Sequence, residues 1–213
     1  NGKDRTLHVL FPPDLTTSVR ELSRQSQSTV FMTMMALNAV LVERHTGQSD
    51  FLINSVVDKR DHPSAREIVG HLGGNIWFRA RPRPDRTFRE FLSTSTRDWL
   101  EALQHRNHDT GNLIREILAK QGRESEQLTP FFVTHGADDP GTLDLAGTRV
   151  SPIHRHFGAG PNLPKIEIRD TVAGISLLIS YRGPTFRKRS IQRYFERYRD
   201  LAGLLTRNPD RYL

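Results

Sequence analysis

The side chains of this sequence that could act as ligands, bases or nucleophiles fall in a few short stretches. His105-Arg-Asn-His108-Asp109 brings together two imidazoles and a carboxylate, donor types that hold zinc. The spacing matches no zinc signature, and a solvated loop or a helix cap accounts for the same residues, so no metal is expected. His154-Arg-His156 alternates, which on a strand puts both rings on one face, either lining a polar channel or at an ordinary surface. His45 stands just before Gly47, where the negative end of a helix dipole explains it. Neither Ser55 nor Ser151 sits in a Gly-x-Ser-x-Gly turn, so neither reads as a nucleophile. Phe157-Gly-Ala-Gly160-Pro161 has the glycines of a phosphate loop without its Lys-Ser/Thr pair or its strand-to-helix setting. With no cysteine, thiolate catalysis, zinc–thiolate sites and disulfides are excluded.

The elements that must carry these groups alternate between helix and strand, which points to α/β architecture. Leu7 to Phe11 predicts a strand stopped by Pro12-Pro13-Asp14. Leu15, Val19 and Leu22 follow at helical spacing, with Ser18 and Glu21 in the relation of a capping box. Thr29 opens a second helix with Val30, Met34, Leu37 and Leu41 towards a core, closed by Arg44, His45 and Gly47. Phe51 to Val57 reads as a strand covered on both faces. Ile76, Phe78 and Ala80 alternate with Trp77 and Arg79, giving a strand with two distinct faces. Thr87-Phe-Arg-Glu90 is a second capping box, opening a helix through Phe91, Leu92, Trp99 and Leu103. A short helix runs from Leu113 to Lys120, and Phe131 to Thr134 is a strand. Ala137 to Gly147 and Phe157 to Pro164 are loops by composition. Lys165 to Ile168 pairs with Gly174 to Tyr181 as a hairpin, and an amphipathic helix spans Ser190 to Thr206. No repeat or low-complexity linker divides the chain, which reads as one domain or one lobe of a larger one.

A chain of 213 residues with 36% hydrophobic and 26% charged content can bury a substantial core. Its longest apolar run, Met34 to Val42, is broken by Asn38 and too short to span a bilayer. No leader pattern opens the sequence, so a cytoplasmic protein without membrane contact is expected. The net charge of +7 comes almost wholly from arginine. Scattered arginines of this kind accompany GC-rich coding; the alternative is long-range attraction to an acidic partner. No basic stripe interleaved with aromatics marks a nucleic-acid groove reader.

Several segments, in order, resemble the condensation domains of nonribosomal peptide synthetases. Leu15 to Gly47, followed by Gln48 and Asp50, is similar to the two-helix segment ending in Thr-Gly-Gln that opens their C-terminal lobe. Ser55 falls where the family carries a small hydroxyl residue, and Arg60 at the arginine of its Ala-x-Arg turn. Gly70, Asn75 and Arg79 match its Gly-x-Phe-Val-Asn-x-Leu-x-Leu-Arg motif. Pro84 to Leu92, His105-Arg-Asn107, Thr129 to Val133, Lys165 to Ile168 and the closing Arg207-Asn-Pro-Asp-Arg-Tyr-Leu213 resemble later family motifs. The chain departs from the family at His108-Asp-Thr110 and at Leu72-Gly-Gly-Asn75.

The resemblance implies one lobe, the C-terminal one over residues 1–213, of a chloramphenicol-acetyltransferase-like fold: α/β, with a mixed sheet flanked by helices. The family's His-His-x-x-x-Asp-Gly motif, which belongs to the N-terminal lobe, does not occur in these residues. The intact domain would be a peptide-bond-forming acyltransferase of bacterial natural-product biosynthesis, and this chain alone would be inactive. A binding-only domain that recruits a carrier protein or tailoring enzyme is the alternative. Ser55, Asn75 and Thr134 are the candidate tunnel residues; Arg60, Gly70 and Arg79 are the structural motif. Arg187, Lys188 and Arg189 form the densest basic cluster and are the candidate docking residues for acidic carrier proteins, or simply solubilise a loop. The lobe would bind no cofactor; phosphopantetheine would arrive on the carriers. Its partners would be the N-terminal lobe, the carriers and, through an uncovered apolar face, other copies of itself.

Overall fold

A computed structural model describes residues 4–60, 62–122, 131–136, 146, 148 and 164–213. β1 (Asp4–Leu10) runs into Pro12-Pro13, and the second proline takes the first position of α1 (Pro13–Gln25). There its fixed φ suits the helix and its missing N–H costs nothing. The helix therefore starts earlier than the Ser18–Glu21 spacing suggests. Ser18 lies inside it, its hydroxyl donating to the Asp14 carbonyl at 2.9 Å, and caps nothing.

α2 (Val30–Thr46) begins where expected, with the Thr29 hydroxyl accepting from the Met32 N–H at 3.1 Å. It ends at Gly47, whose φ of 70° favours a residue without Cβ. The expected core-facing stripe is too narrow a description, because every residue from Met32 to Val42 is buried while Val30 is only half-buried. A helix apolar all round is packed all round. Here the neighbours are α1, α3 (Phe88–Gln104), α5 (Lys188–Arg207) and the sheet.

The remaining elements are β2 (Phe51–Asp58), a 3-10 turn (Pro63–Glu67), β3 (Gly73–Ala80), α4 (Thr110–Lys120), β4 (Phe131–His135), β5 (Lys165–Thr171) and β6 (Gly174–Arg182). The strands form one mixed sheet in the order β1-β6-β5-β4-β2-β3. β4 is parallel to both β2 and β5, and the other neighbours are antiparallel. The β5–β6 hairpin runs in unbroken register from Lys165 opposite Ser180 to Thr171 opposite Gly174. α3 opens on a complete capping box: the Glu90 N–H donates to the Thr87 hydroxyl at 3.2 Å, and the Thr87 N–H to the Glu90 carboxylate at 2.8 Å. α4 starts ahead of Leu113 because the Asp109 carboxylate accepts from the Asn112 N–H. α5 starts two residues ahead of Ser190, so Arg187 is its cap residue and Lys188 and Arg189 lie in its first turn.

α1, α2, α3 and α5 share one continuous core with one face of the sheet. The Phe78 ring of β3 meets Trp99 of α3 edge-on at 5.4 Å between centroids. The buried Tyr198 hydroxyl donates to the Met34 carbonyl, and that of Tyr194 to Asn38 Oδ1 at 2.7 Å. Burial pushes both phenols well above their ordinary range, so both remain donors. β2 is covered on both faces only in part: Ile53, Asn54 and Ser55 are buried in succession, but Val56 is 41% exposed and Asp58 is exposed. No helix among the described residues is long and apolar enough to cross a membrane.

Candidate functional site

Strand register decides which side chains share a face, because successive residues point to opposite sides. Ile53 stands opposite Phe78 and Ser55 opposite Ile76, and all four are buried on the helix side. The alternate set lies on the other side. Asn54 pairs with Trp77 and Val56 with Asn75; across β4 and β5, Thr134 pairs with Glu167. Asn54 and Phe132 are also register partners, which places Thr134 on the Asn54 side. Lys165 and Arg169, opposite Ser180 and Ser176, complete a largely polar face.

That face is locally well ordered. Arg169 donates to Glu167 at 2.7 Å. A Cβ on Gly136 would come within 2.5 Å of Arg169 Cγ, so glycine is what lets the arginine lie across the end of β4. The Lys165 ammonium stands 5.3 Å from the centre of the Phe132 ring. Among the described residues, the buried Trp77 indole N–H has no hydrogen-bond partner. Asn54 and Thr134 are both buried. These groups can donate and accept hydrogen bonds and bind a dipolar ligand. Among the described strand residues, the histidine on this side is His8, on β1 at the far edge of the sheet.

Asn75 and Thr134 thus share a face, but Ser55 does not join them. The expectation that it faces a tunnel is corrected: Ser55 is fully buried towards the helix layer, and among the described residues its hydroxyl has no partner. Asn54, one residue earlier, holds the position on the polar side. Arg60 and Gly70 are joined directly, since the guanidinium donates to the Gly70 carbonyl at 2.8 Å and to Asp58 at 3.1 Å. This ties the long turn between β2 and β3. Arg79 donates twice to Asp50, at 2.7 and 2.5 Å, and holds that carboxyl below its usual range. Arg187, Lys188 and Arg189 are exposed at the start of α5, in the helix layer and apart from the polar face.

In the stretch weighed as a metal site, Asp109 caps α4 and His105 closes α3. No cluster of three or more potential metal ligands occurs among the described residues. Ser151, His154, His156, the glycine loop at 157–161 and both predicted loops lie largely or wholly outside the described residues.

A family model for the condensation domain matches residues 1–213. The chain belongs to the condensation-domain family. This condensation-domain chain is 22% identical over 199 residues to tyrocidine synthase 2 of Brevibacillus parabrevis, covering 93% of itself and 6% of that protein. It is 21% identical over 197 residues to gramicidin S synthase 2 of Aneurinibacillus migulanus, covering 92% of itself and 4% of that protein. Among solved structures it is similar to the condensation domain of the monacolin K polyketide synthase MokA, with a TM-score of 0.80 at 21% identity. That match takes in 99% of this chain and 48% of the other. The sheet with its flanking helices is thus the chloramphenicol-acetyltransferase-like fold. Condensation domains form peptide bonds and work with carrier-protein domains. The chain spans only a small fraction of the length of these curated relatives.

Sequence reasoning missed Asn54, Glu167 and Arg169 on the polar face of this condensation-domain chain. The signal for Glu167 and Arg169 was present, as Lys-Ile-Glu-Ile-Arg alternates polar and apolar. Asn54 was hidden because it sits beside Ser55 in an otherwise apolar run.

Proposed function

We propose that this chain is the C-terminal lobe of a condensation domain of nonribosomal peptide synthesis. The domain joins two aminoacyl or peptidyl groups held as thioesters on phosphopantetheine arms of carrier proteins. The acceptor amine attacks the donor thioester carbonyl, the C–N bond forms, the C–S bond breaks, and the proton lost by the amine ends on the departing thiolate as the free donor thiol. One observation carries the reading: nearly all of this chain superposes on about half of a solved condensation domain. The two-faced sheet supports it, with a helix layer on one side and Asn54, Thr134, Glu167 and Arg169 on the other. The polar face is one wall of a channel that orients the tethered reactants, and holding both in place supplies much of the rate. The base comes from the other lobe, where the family carries its His-His-x-x-x-Asp-Gly motif. This lobe binds no cofactor itself, works in the cytoplasm and receives acidic carriers at basic surface that includes Arg187, Lys188 and Arg189. Exposed Val56, Ile68 and Val69 are apolar surface through which isolated copies self-associate.

The test is peptidyl transfer between two loaded carrier proteins. The chain alone should give no product, and the parent domain containing both lobes should give it. Product from this chain alone would sink the half-enzyme reading. Carrier binding by the parent domain without any transfer would favour the recruiting role instead.

A further inference from the structure

Arginines spread over the sequence converge where β3 leaves the sheet. Arg79, Arg81 and Arg83 are exposed, while the intervening Ala80 and Pro82 are buried, so the three guanidiniums fall on one side of the chain. Pro82 and Pro84 stiffen this stretch by fixing φ. Arg86 follows from the loop, and Arg97 projects from α3. Together with Asp98 and Thr94 they line a pocket of about 200 Å³.

The charges there are poorly matched. Arg79 is committed to Asp50. The others share a single lining carboxylate, Asp98, which lies 3.7 Å from Arg81 and 3.8 Å from Arg97, beyond good hydrogen-bond distance. Among the described residues, the Arg86 side chain reaches only the Thr94 hydroxyl, at 3.4 Å. Among the described residues, the Arg83 guanidinium makes neither hydrogen bond nor ion pair. Four guanidiniums beside one lining carboxylate leave positive charge uncompensated and repelling itself. A bound anion relieves this repulsion. Guanidinium forks match phosphate oxygens two at a time, and several around one small cavity select for more than one negative charge. The pocket has room for linked phosphate groups.

We propose that this pocket binds a compact oligophosphate through Arg81, Arg83, Arg86 and Arg97. Free pyrophosphate and the diphosphate of a nucleotide are two sources of the same chemistry. The inference is independent of the peptide-forming role, since it concerns the end of β3 beside α3 and not the polar sheet face.

The experiment is calorimetric titration of the full 213-residue chain with inorganic pyrophosphate and, separately, with ADP, at low ionic strength. Saturable one-to-one binding of pyrophosphate is expected, weakened about tenfold or more by Arg83→Ser with Arg97→Ser. ADP binding as tightly as pyrophosphate would identify a nucleotide as the source; binding of pyrophosphate alone would identify the free ion. The Arg187→Ser, Lys188→Ser, Arg189→Ser variant removes at least as much charge elsewhere and should bind pyrophosphate nearly as well as the parent. Should the double variant unfold, Arg83→Ser alone decides, because that side chain supports nothing else in the described fold; a several-fold loss is expected. Absence of saturable binding, an unchanged affinity in the pocket variant, or an equal loss in the α5 variant would overturn the proposal.

Discussion

Asn54 and Ser55 are adjacent polar residues of β2 and both are buried, yet one points away from the helices and the other into them. The helix side is filled by Ile53, Phe78, Val133, Ile166 and Leu177, packed against α2, α3 and α5. Among the described residues, a hydroxyl placed there finds no partner, as Ser55 shows. The other side collects Asn54, Thr134, Glu167, Ser176 and Ser180, with the Glu167–Arg169 ion pair among them. The same backbone thus serves two purposes: one face supplies cohesion and the other presents hydrogen-bonding groups. Loss of an apolar side chain should therefore be felt in stability, and loss of a polar one across the sheet should be felt in function.

The largest contrast should come from β3. Phe78→Ala opens a cavity beside Trp99 and should cost about 3–5 kcal/mol, whereas Asn75→Ala on the other face should stay within about 0.5 kcal/mol. Denaturant unfolding of both variants measures this, and comparable losses would erase the distinction between the faces. The adjacent pair on β2 sharpens it next. In a parent domain holding both proposed lobes, Asn54→Ala should lower peptidyl transfer about tenfold by removing a buried hydrogen-bonding group from the face proposed to line the channel. Ser55→Ala should leave transfer unchanged and hold or raise stability, by up to about 1 kcal/mol, because the deleted hydroxyl is unsatisfied. Equal effects of the two changes on transfer would refute the assignment of faces.

Two smaller effects concern the supports of β3. Thr87→Ala breaks the capping box of α3 and should cost about 1 kcal/mol, read as a lower midpoint of thermal or denaturant unfolding without loss of helix content in the native state. Asp50 is the least costly. The Arg79 hydrogen bond lowers its carboxyl pKa in the folded chain, so the stabilisation is present above the unfolded-state value. It is lost as pH falls through the lower folded-state value, in acid below the usual carboxylate range. Both side chains are substantially exposed, and solvent screening keeps the contribution below about 1 kcal/mol. Melting temperatures of the parent and Asp50→Asn should differ at neutral pH and converge in acid; a constant offset would assign the loss to something other than this ion pair.

Much of the architecture could be read along the chain, because its causes lie within a few residues of each other. The Thr87–Glu90 box, the Gly47 stop, the β5–β6 hairpin and the alternation of Ile76, Phe78 and Ala80 are local features, and each is present in the fold. The start of α1 was misread because two local signals competed, and Pro13 at the first position outweighed Ser18. The family's order of motifs was likewise legible, and the match over residues 1–213 agrees with it.

The faces of β2 were not legible. In Phe51 to Val57 the polar residues sit side by side, so alternation alone cannot say whether Asn54 or Ser55 turns inward. Pairing with β3 and β4, and the helix layer that covers one side, made that choice. The arginine pocket divides the same way. The alternating Arg79, Arg81 and Arg83 could be read from the chain, but Arg97 joins them only because α3 folds back beside β3. Capping and periodicity depend on neighbours in sequence, and the chain determines them by itself. Which face is covered, and which charges meet, depends on contacts between distant segments, and those exist only once the sheet and helices have packed.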